Sequence, residues 1–180
     1  VIVLQNLSLP WVPQWHYAVA VGYDLARGTV TLHSGETKFL ELPMETFERT
    51  WERSGYWGLL VLRPDDLPQG AEESLYVPAV AGVERAAQPA AAAVAYANAL
   101  KRWPDNLAAA MGLGNTLYRL GDRKGAATAF RTASRRHPQS ADAQNNLAHV
   151  LAETGALDEA EISARRAIEL GGANVSSYRA

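Results

Sequence analysis

A histidine at the head of an alternating run is the residue of this chain best placed to do chemistry. In Trp15-His16-Tyr17-Ala18-Val19-Ala20-Val21-Gly22-Tyr23-Asp24 the bulky residues recur at every second position and His16 stands at one end. An imidazole titrates near neutral pH, so it can take a proton from a thiol or a hydroxyl. The chain contains no cysteine. Thiol catalysis, thiolate metal sites and disulfides are therefore excluded from the chain itself. Ser34, Glu36 and Asp24 are the hydroxyl and acid groups within reach of such a histidine. Nothing around Ser34 spells a nucleophile elbow or an oxyanion hole, which argues against a serine nucleophile. His33, His137 and His149 lack metal-ligand spacing, so neither a metal nor another cofactor is expected.

The elements that position His16 follow from periodicity. Tyr17, Val19, Val21 and Tyr23 alternate with Ala18, Ala20 and Gly22, which predicts a strand with bulk on one face and room for close packing on the other. Ala26-Arg27-Gly28 supplies a turn, and Thr29-Val30-Thr31-Leu32 resumes as a β-branched strand, so the two form a hairpin. His16 lies at the far end from the turn, opposite the stretch from Ser34 to Thr37, with the register open. Glu36 is then the nearer acid, and Asp24 starts the turn. Further strands are predicted over residues 1–7, 38–42 and 56–62. A short helix from Pro43 puts Phe47, Thr50 and Trp51 on one face, with Gly55 beyond its end. Trp51, Tyr56 and Trp57 are expected in the core. Residues 1–68 thus read as a small antiparallel sheet with one helix, and the Pro, Asp and Gly of residues 63–70 read as a linker.

These residues resemble a known family. Pro13-Gln14-Trp15-His16-Tyr17-Ala18-Val19, the hairpin, the segment Leu32-His33-Ser34-Gly35 and the helix around Phe47-Glu48-Arg49-Thr50-Trp51 resemble the second half of a papain-like cysteine peptidase of the bacteriocin-processing, double-glycine-leader type. They are most similar to a bacterial branch in which tetratricopeptide repeats follow that domain. The resemblance implies that His16 is the general base of peptide-bond hydrolysis and that a polar group on the neighbouring strand, Ser34 or Glu36, orients its ring. It implies that Trp11 and Trp15, in a segment stiffened by Pro10 and Pro13, wall the substrate cleft; the alternative is that they cap the sheet. The family's nucleophilic Cys and oxyanion-hole Gln belong to a helical first half with no counterpart in these residues. The chain opens with Val-Ile-Val-Leu, a buried type of strand, with neither an initiator Met nor a leader. It is therefore expected to be the His-bearing lobe of a divided domain, inactive alone, with the missing Cys-bearing half as one partner. Self-association through the apolar surface that half would cover, around residues 1–9 and 11–15, is a further expectation. An exported or envelope-associated bacterial location is implied by the resemblance alone.

From about residue 69 the chain is alanine-rich and repetitive. With a unit begun at Leu107, the residues Leu113-Gly114-Asn115, Leu117, Gly121-Asp122, Ala126, Phe130, Ala133 and Pro138 match the tetratricopeptide pattern. A unit begun 34 residues later at Ala141 aligns Leu147-Ala148, Leu151, Gly155, Ala160, Ala164 and Ala167 at the same offsets. Stepping back gives Ala92, Tyr96, Ala99 and Pro104, the second helix of a degenerate unit over about residues 73–106. Its first helix contains Pro78 and Gly82, poor helix composition that suggests adaptation to packing on the sheet region. Full units are expected over 107–140 and 141–174, with Gly171-Gly172-Ala173-Asn174 ending the last helix and residues 175–180 adding about a turn. The fold class is α+β: a small antiparallel sheet lobe of papain-like type followed by an all-α repeat array.

The inner face of the repeats is expected to carry Ala108, Met111, Asn115, Tyr118 and Arg119 from one unit and Asp142, Asn145, Asn146, His149 and Glu153 from the next. Asn115 and Asn146 match two positions with which proteins of this repeat family hold a peptide backbone or terminus, while Met111 stands where a clamp for a carboxylate would have Lys. A peptide or protein partner is the expectation. The rival to a divided peptidase is a non-catalytic interaction or scaffold protein, its sheet a peptidase-like remnant. With 180 residues, 48% hydrophobic and a net charge of -2, the chain can bury one or two modest cores and has no electrostatic case for nucleic acid or anionic lipid. No apolar run approaches the roughly 20 residues needed to span a bilayer.

Overall fold

The structure is a computed structural model and describes residues 1–171. It divides into two compact units, Val1–Leu62 and Arg63–Ala180. The first holds a five-stranded antiparallel sheet in the order β4-β3-β2-β1-β5, with β1 Ile2–Asn6, β2 Trp15–Asp24, β3 Thr29–Ser34, β4 Thr37–Pro43 and β5 Gly58–Leu59. One helix, α1 Met44–Glu52, packs on it. The β2–β3 turn forms because the Asp24 carboxylate accepts from the Arg27 backbone N–H at 3.0 Å and Gly28 takes a φ of 61° that few other residues tolerate. A bulge between Ala20 and Gly22 shifts the β2–β3 register.

The orientation of β2 is settled by α1. Ala18 is buried together with Val3, Val30, Leu32 and Phe47, and Ala20 packs on that cluster with Met44 and Trp51. The small residues of β2 thus face the helix, whose Phe47 and Trp51 rings lie 5.4 Å apart between centroids and need the space. Tyr17, Val19 and Val21 are left exposed on the strand's other residues. Gln5 is buried on the helix side and donates to Thr50 Oγ1 at 2.6 Å, tying β1 to α1. Trp51 is half-buried, as expected of core, but Tyr56 and Trp57 are surface residues. Gly55, with a φ of 68°, turns the chain just before them, and only two residues of β5 then pair with β1.

The second unit is a succession of helix pairs: α2 Glu73–Arg85, α3 Pro89–Arg102, α4 Leu107–Arg119, α5 Arg123–Arg136, α6 Ala141–Glu153 and α7 Leu157–Gly171. Capping starts three of them, since Asn106, Asp122 and Ser140 side chains accept from the N–H groups of Ala109, Gly125 and Ala143. Close approach is permitted by glycine: a Cβ on Gly112 would run into the Tyr96 ring, and one on Gly114 into the Phe130 ring. Large residues fill the spaces between pairs, with Phe130, Leu147, Val150 and Leu151 in one buried cluster.

Two features differ from the pattern-based reading. α2 forms across Pro78 and Gly82 because Val77 and Val80 are buried with Tyr96 and Ala99 of α3 and Ala109 of α4, and tertiary burial outweighs weak propensity. The segment read as a linker is docked on α3: Asn98 donates to the Asp65 carbonyl at 2.8 Å, and Arg102 donates to the carbonyls of Pro68 and Gln69 at 2.7 and 2.5 Å. The expected stop beyond Gly171 and the turn over residues 175–180 lie outside the described residues. Among the described residues no helix is long and apolar enough to cross a membrane.

Candidate functional site

In the sheet unit, β2 carries His16 opposite Gln5 of β1, and β3 ends at Ser34, the cross-strand partner of Ala18. His16 Nε2 and Ser34 Oγ lie 2.8 Å apart. The hydroxyl fixes the ring at one nitrogen and leaves Nδ1 without a hydrogen bond among the described residues. A hydroxyl is neutral and supplies none of the charge that a carboxylate would give an imidazolium. Glu36 is exposed in the β3–β4 turn and makes no bond to His16 among the described residues. Trp11 and Trp15 are 75% and 54% exposed. Strand alternation turns Trp15 to the face of β2 opposite His16, so β2 does not bring that ring and the imidazole to one cleft. The loop holding Trp11 is shaped instead by Asn6, whose side-chain oxygen accepts from the backbone N–H groups of Ser8 and Gln14 at 3.0 and 2.9 Å.

In the helical unit the first helices of successive pairs lie side by side and are stitched by side chains. Asn146 Nδ2 of α6 donates to Asn115 Oδ1 of α4 at 3.3 Å, and Asn145 Nδ2 lies 3.5 Å from Asn146 Oδ1. Asn115 is exposed, and Asn145, Asn146 and Met111 are partly so. The Asn115 side-chain N–H groups have no hydrogen bond among the described residues. Met111 and Ala108 extend this patch one and two turns toward the start of α4.

Beside the amides is a charged cluster. Tyr118 donates to Glu153 Oε1 at 2.5 Å and lies 3.2 Å from His149 Nε2. Arg123 donates to the other Glu153 oxygen at 2.6 Å and its guanidinium sits 3.8 Å from the Tyr118 ring centroid. The Tyr118 hydrogen bond, followed by the Arg123 hydrogen bond and charge, holds the Glu153 carboxyl below its usual pKa against the opposing effect of burial. The same hydrogen bond, with burial and the Glu153 charge, raises the Tyr118 phenol. Toward the preceding pair, Arg119 of α4 bridges to Glu84 of α2 at 3.3 Å, and Glu84 also accepts from the Tyr96 hydroxyl at 3.2 Å. Burial, then the Glu84 charge, pushes Tyr96 up to about 12.

Met111, Asn115, Tyr118, Asn145, Asn146 and His149 are thus gathered on one surface. Glu84 and Arg123 join it without having been singled out by sequence. The signal for Glu84 was present, since Glu84–Arg119 has the same 35-residue separation as Tyr118–Glu153, one repeat and a residue; Arg123, 30 residues from Glu153, had none.

Stacked helix pairs with a polar inner surface define a helical-repeat solenoid. The family model of the tetratricopeptide repeat matches residues 84–122 and 113–175, just over half of the chain, and the chain belongs to that family. No curated protein sequence matches it. Among solved structures it is similar to the first tetratricopeptide domain of Spaghetti (RPAP3) bound to the HSP90 peptide SRMEEVD, with a TM-score of 0.51, 15% identity, and 54% of this chain and 78% of that one covered. The second such domain of the same protein, bound to the same peptide, gives a TM-score of 0.51 at 12% identity over 54% and 91% of the two chains. A mutant of MamA gives 0.51 at 19% identity over 71% and 82%. At these identities the likeness shows the fold.

Proposed function

We propose that this chain is a protein-interaction module whose repeats hold an extended segment of a partner across α4 and α6. The observation that carries the reading is the Asn115–Asn146 pair, two side-chain amides joined across successive repeats on an accessible surface. A peptide backbone offers alternating N–H and C=O groups, and an amide that both donates and accepts can match them. The Spaghetti domains of the same fold are solved with a bound peptide, which supports this use of the surface. Asn115→Ala combined with Asn146→Ala should weaken peptide capture by the full chain roughly tenfold without altering its helix content. Unchanged affinity in a titration of a selected peptide would place binding elsewhere.

A second reading is favoured by the His16–Ser34 contact at 2.8 Å. In it the sheet unit is the His-bearing lobe of a papain-like peptidase, with His16 as base, Ser34 as the orienting group and the thiol supplied by another lobe. The 180 residues then hydrolyse no peptide bond by thiol chemistry, since they contain no Cys. Hydrolysis by the purified chain that iodoacetamide blocks would refute it. Sequence encoded ahead of Val1 tests the rest: a Gln followed within several residues by Cys-Gly-Pro supports the peptidase, and its absence leaves the scaffold.

A further inference from the structure

The charges around the repeat surface point to what kind of segment it takes. Two cations beside Tyr118 and the asparagine pair, Arg119 and Arg123, are already used. Arg119 is bridged by Glu84 at 3.3 Å, and Arg123 by Glu153 at 2.6 Å. The two acids are consumed in the same bridges, and each is further held by a tyrosine hydroxyl, Tyr96 on Glu84 and Tyr118 on Glu153. These four bonds join different helices, so a ligand that recruited either arginine would have to break a contact between repeats. Between the bridges lie the amides, the apolar Ala108 and Met111, His149 held by Tyr118, and Asp142 near the start of α6, which is itself engaged. Arg85, exposed at the end of α2, makes no ion pair among the described residues and stands on the preceding pair.

We infer that the surface selects an extended, uncharged, internal segment of its partner, read through backbone amides by Asn115 and Asn146 with an apolar side chain against Ala108 and Met111, and that it is indifferent to a chain terminus. The inference rests on the peptide-docking reading above. A terminal carboxylate gains most from an unpaired cation in a partly desolvated site, and the cations that flank α4 and α6 here, Arg119 and Arg123, are satisfied. An acidic or basic side chain would likewise meet a pair that is already neutral and would lose hydration without a new partner.

The test uses the full chain against two displayed libraries of random twelve-residue peptides, one inserted within a carrier loop and one ending in a free carboxylate. The inference expects enrichment from the internal library, hits poor in Asp, Glu, Lys and Arg, and affinity unchanged when a synthetic hit is amidated. Enrichment confined to the free-carboxylate library, or hits dominated by one charge, overturns it while leaving the docking reading intact. Enrichment from neither library overturns both. A gain-of-function arm sharpens the outcome: Glu84→Gln with Glu153→Gln releases Arg119 and Arg123, and the variant should bind peptides ending in a free carboxylate about fivefold more tightly at low salt. No gain by a variant whose circular dichroism is native counts against the inference. Should that variant fail to fold, the two-library comparison on the unaltered chain decides.

Discussion

The two units bury apolar surface by opposite means. The sheet unit turns the small side of β2 toward a single short helix, so its core is Val3, Ala18, Val30, Leu32 and Phe47, and it leaves Tyr17, Val19 and Val21 exposed. The helical unit keeps its large residues between successive pairs, where Tyr96, Phe130, Leu147 and Leu151 are buried, and spends its exposed inner surface on polar bonds. A repeat array completes its core by adding another copy of itself. One sheet with one helix covers only one of its two faces.

The difference is broken most sharply at Leu32, which is 0% exposed. Leu32→Ala should cost about 2–5 kcal/mol, against a total of roughly 3–9 kcal/mol for a unit of this size. The sheet unit should unfold while the helices remain. Four of the five tryptophans, Trp11, Trp15, Trp51 and Trp57, report on the sheet unit and Trp103 on the helices, so denaturation followed by fluorescence and by helical circular dichroism should separate. Coincident loss of both signals would mean the units fold as one.

Glycine gives the next contrast. Gly114→Ala pushes a methyl into the Phe130 ring, and Phe130 is 2% exposed with no room to swing. Overpacking of about 1–3 kcal/mol is set against about 1 kcal/mol of helix propensity, and the locked ring decides for a net loss. Gly22→Ala meets nothing nearer than 3.8 Å and should be neutral or stabilise by about 0.5 kcal/mol. Thermal melts of the two variants check this; equal effects would mean that close helix approach is not what Gly114 provides.

What was legible in the sequence divides along the same line. Period-two alternation located β2, and the Asp24–Gly28 turn was readable, because both are local. Alternation could not say which face of β2 is inward; that was decided by Phe47 and Trp51, which lie some thirty residues away along the chain. The repeat offsets placed Asn115, Asn146, Tyr118 and His149 on one surface, since a 34-residue step carries position to position. Arg102 bonding the carbonyls of Pro68 and Gln69 left no trace, because a carbonyl acceptor is the same whatever residue bears it.

The bare face of β2 allows a smaller perturbation. Val19→Thr with Val21→Thr adds hydroxyls to residues 40% and 45% exposed and should change stability by about 0.5 kcal/mol or less. If this face associates, the double variant should lower the concentration-dependent mass seen by light scattering, whereas Ile162→Thr on the exposed side of α7 should not. Loss of association with Ile162→Thr alone would move the sticky surface to the helices.

The least costly change tests the polar stitching of the repeats. Glu153 has its folded pKa depressed by Tyr118 and Arg123, so it binds its proton less readily folded than unfolded. Its contribution to stability is present above the unfolded carboxylate pKa and is lost as pH falls through the depressed folded value. Between neutral pH and the acid range below that value, the native chain should therefore lose helical stability more steeply than Glu153→Gln, which cannot titrate there. The sheet unit, monitored by its tryptophans, should show no difference between the two proteins. Melting temperatures taken across that range by circular dichroism make the comparison, and parallel curves would show that the Tyr118–Glu153–Arg123 bonds contribute nothing to holding α4, α5 and α6 together, leaving the apolar contacts of Phe130, Leu147 and Leu151 to do so alone.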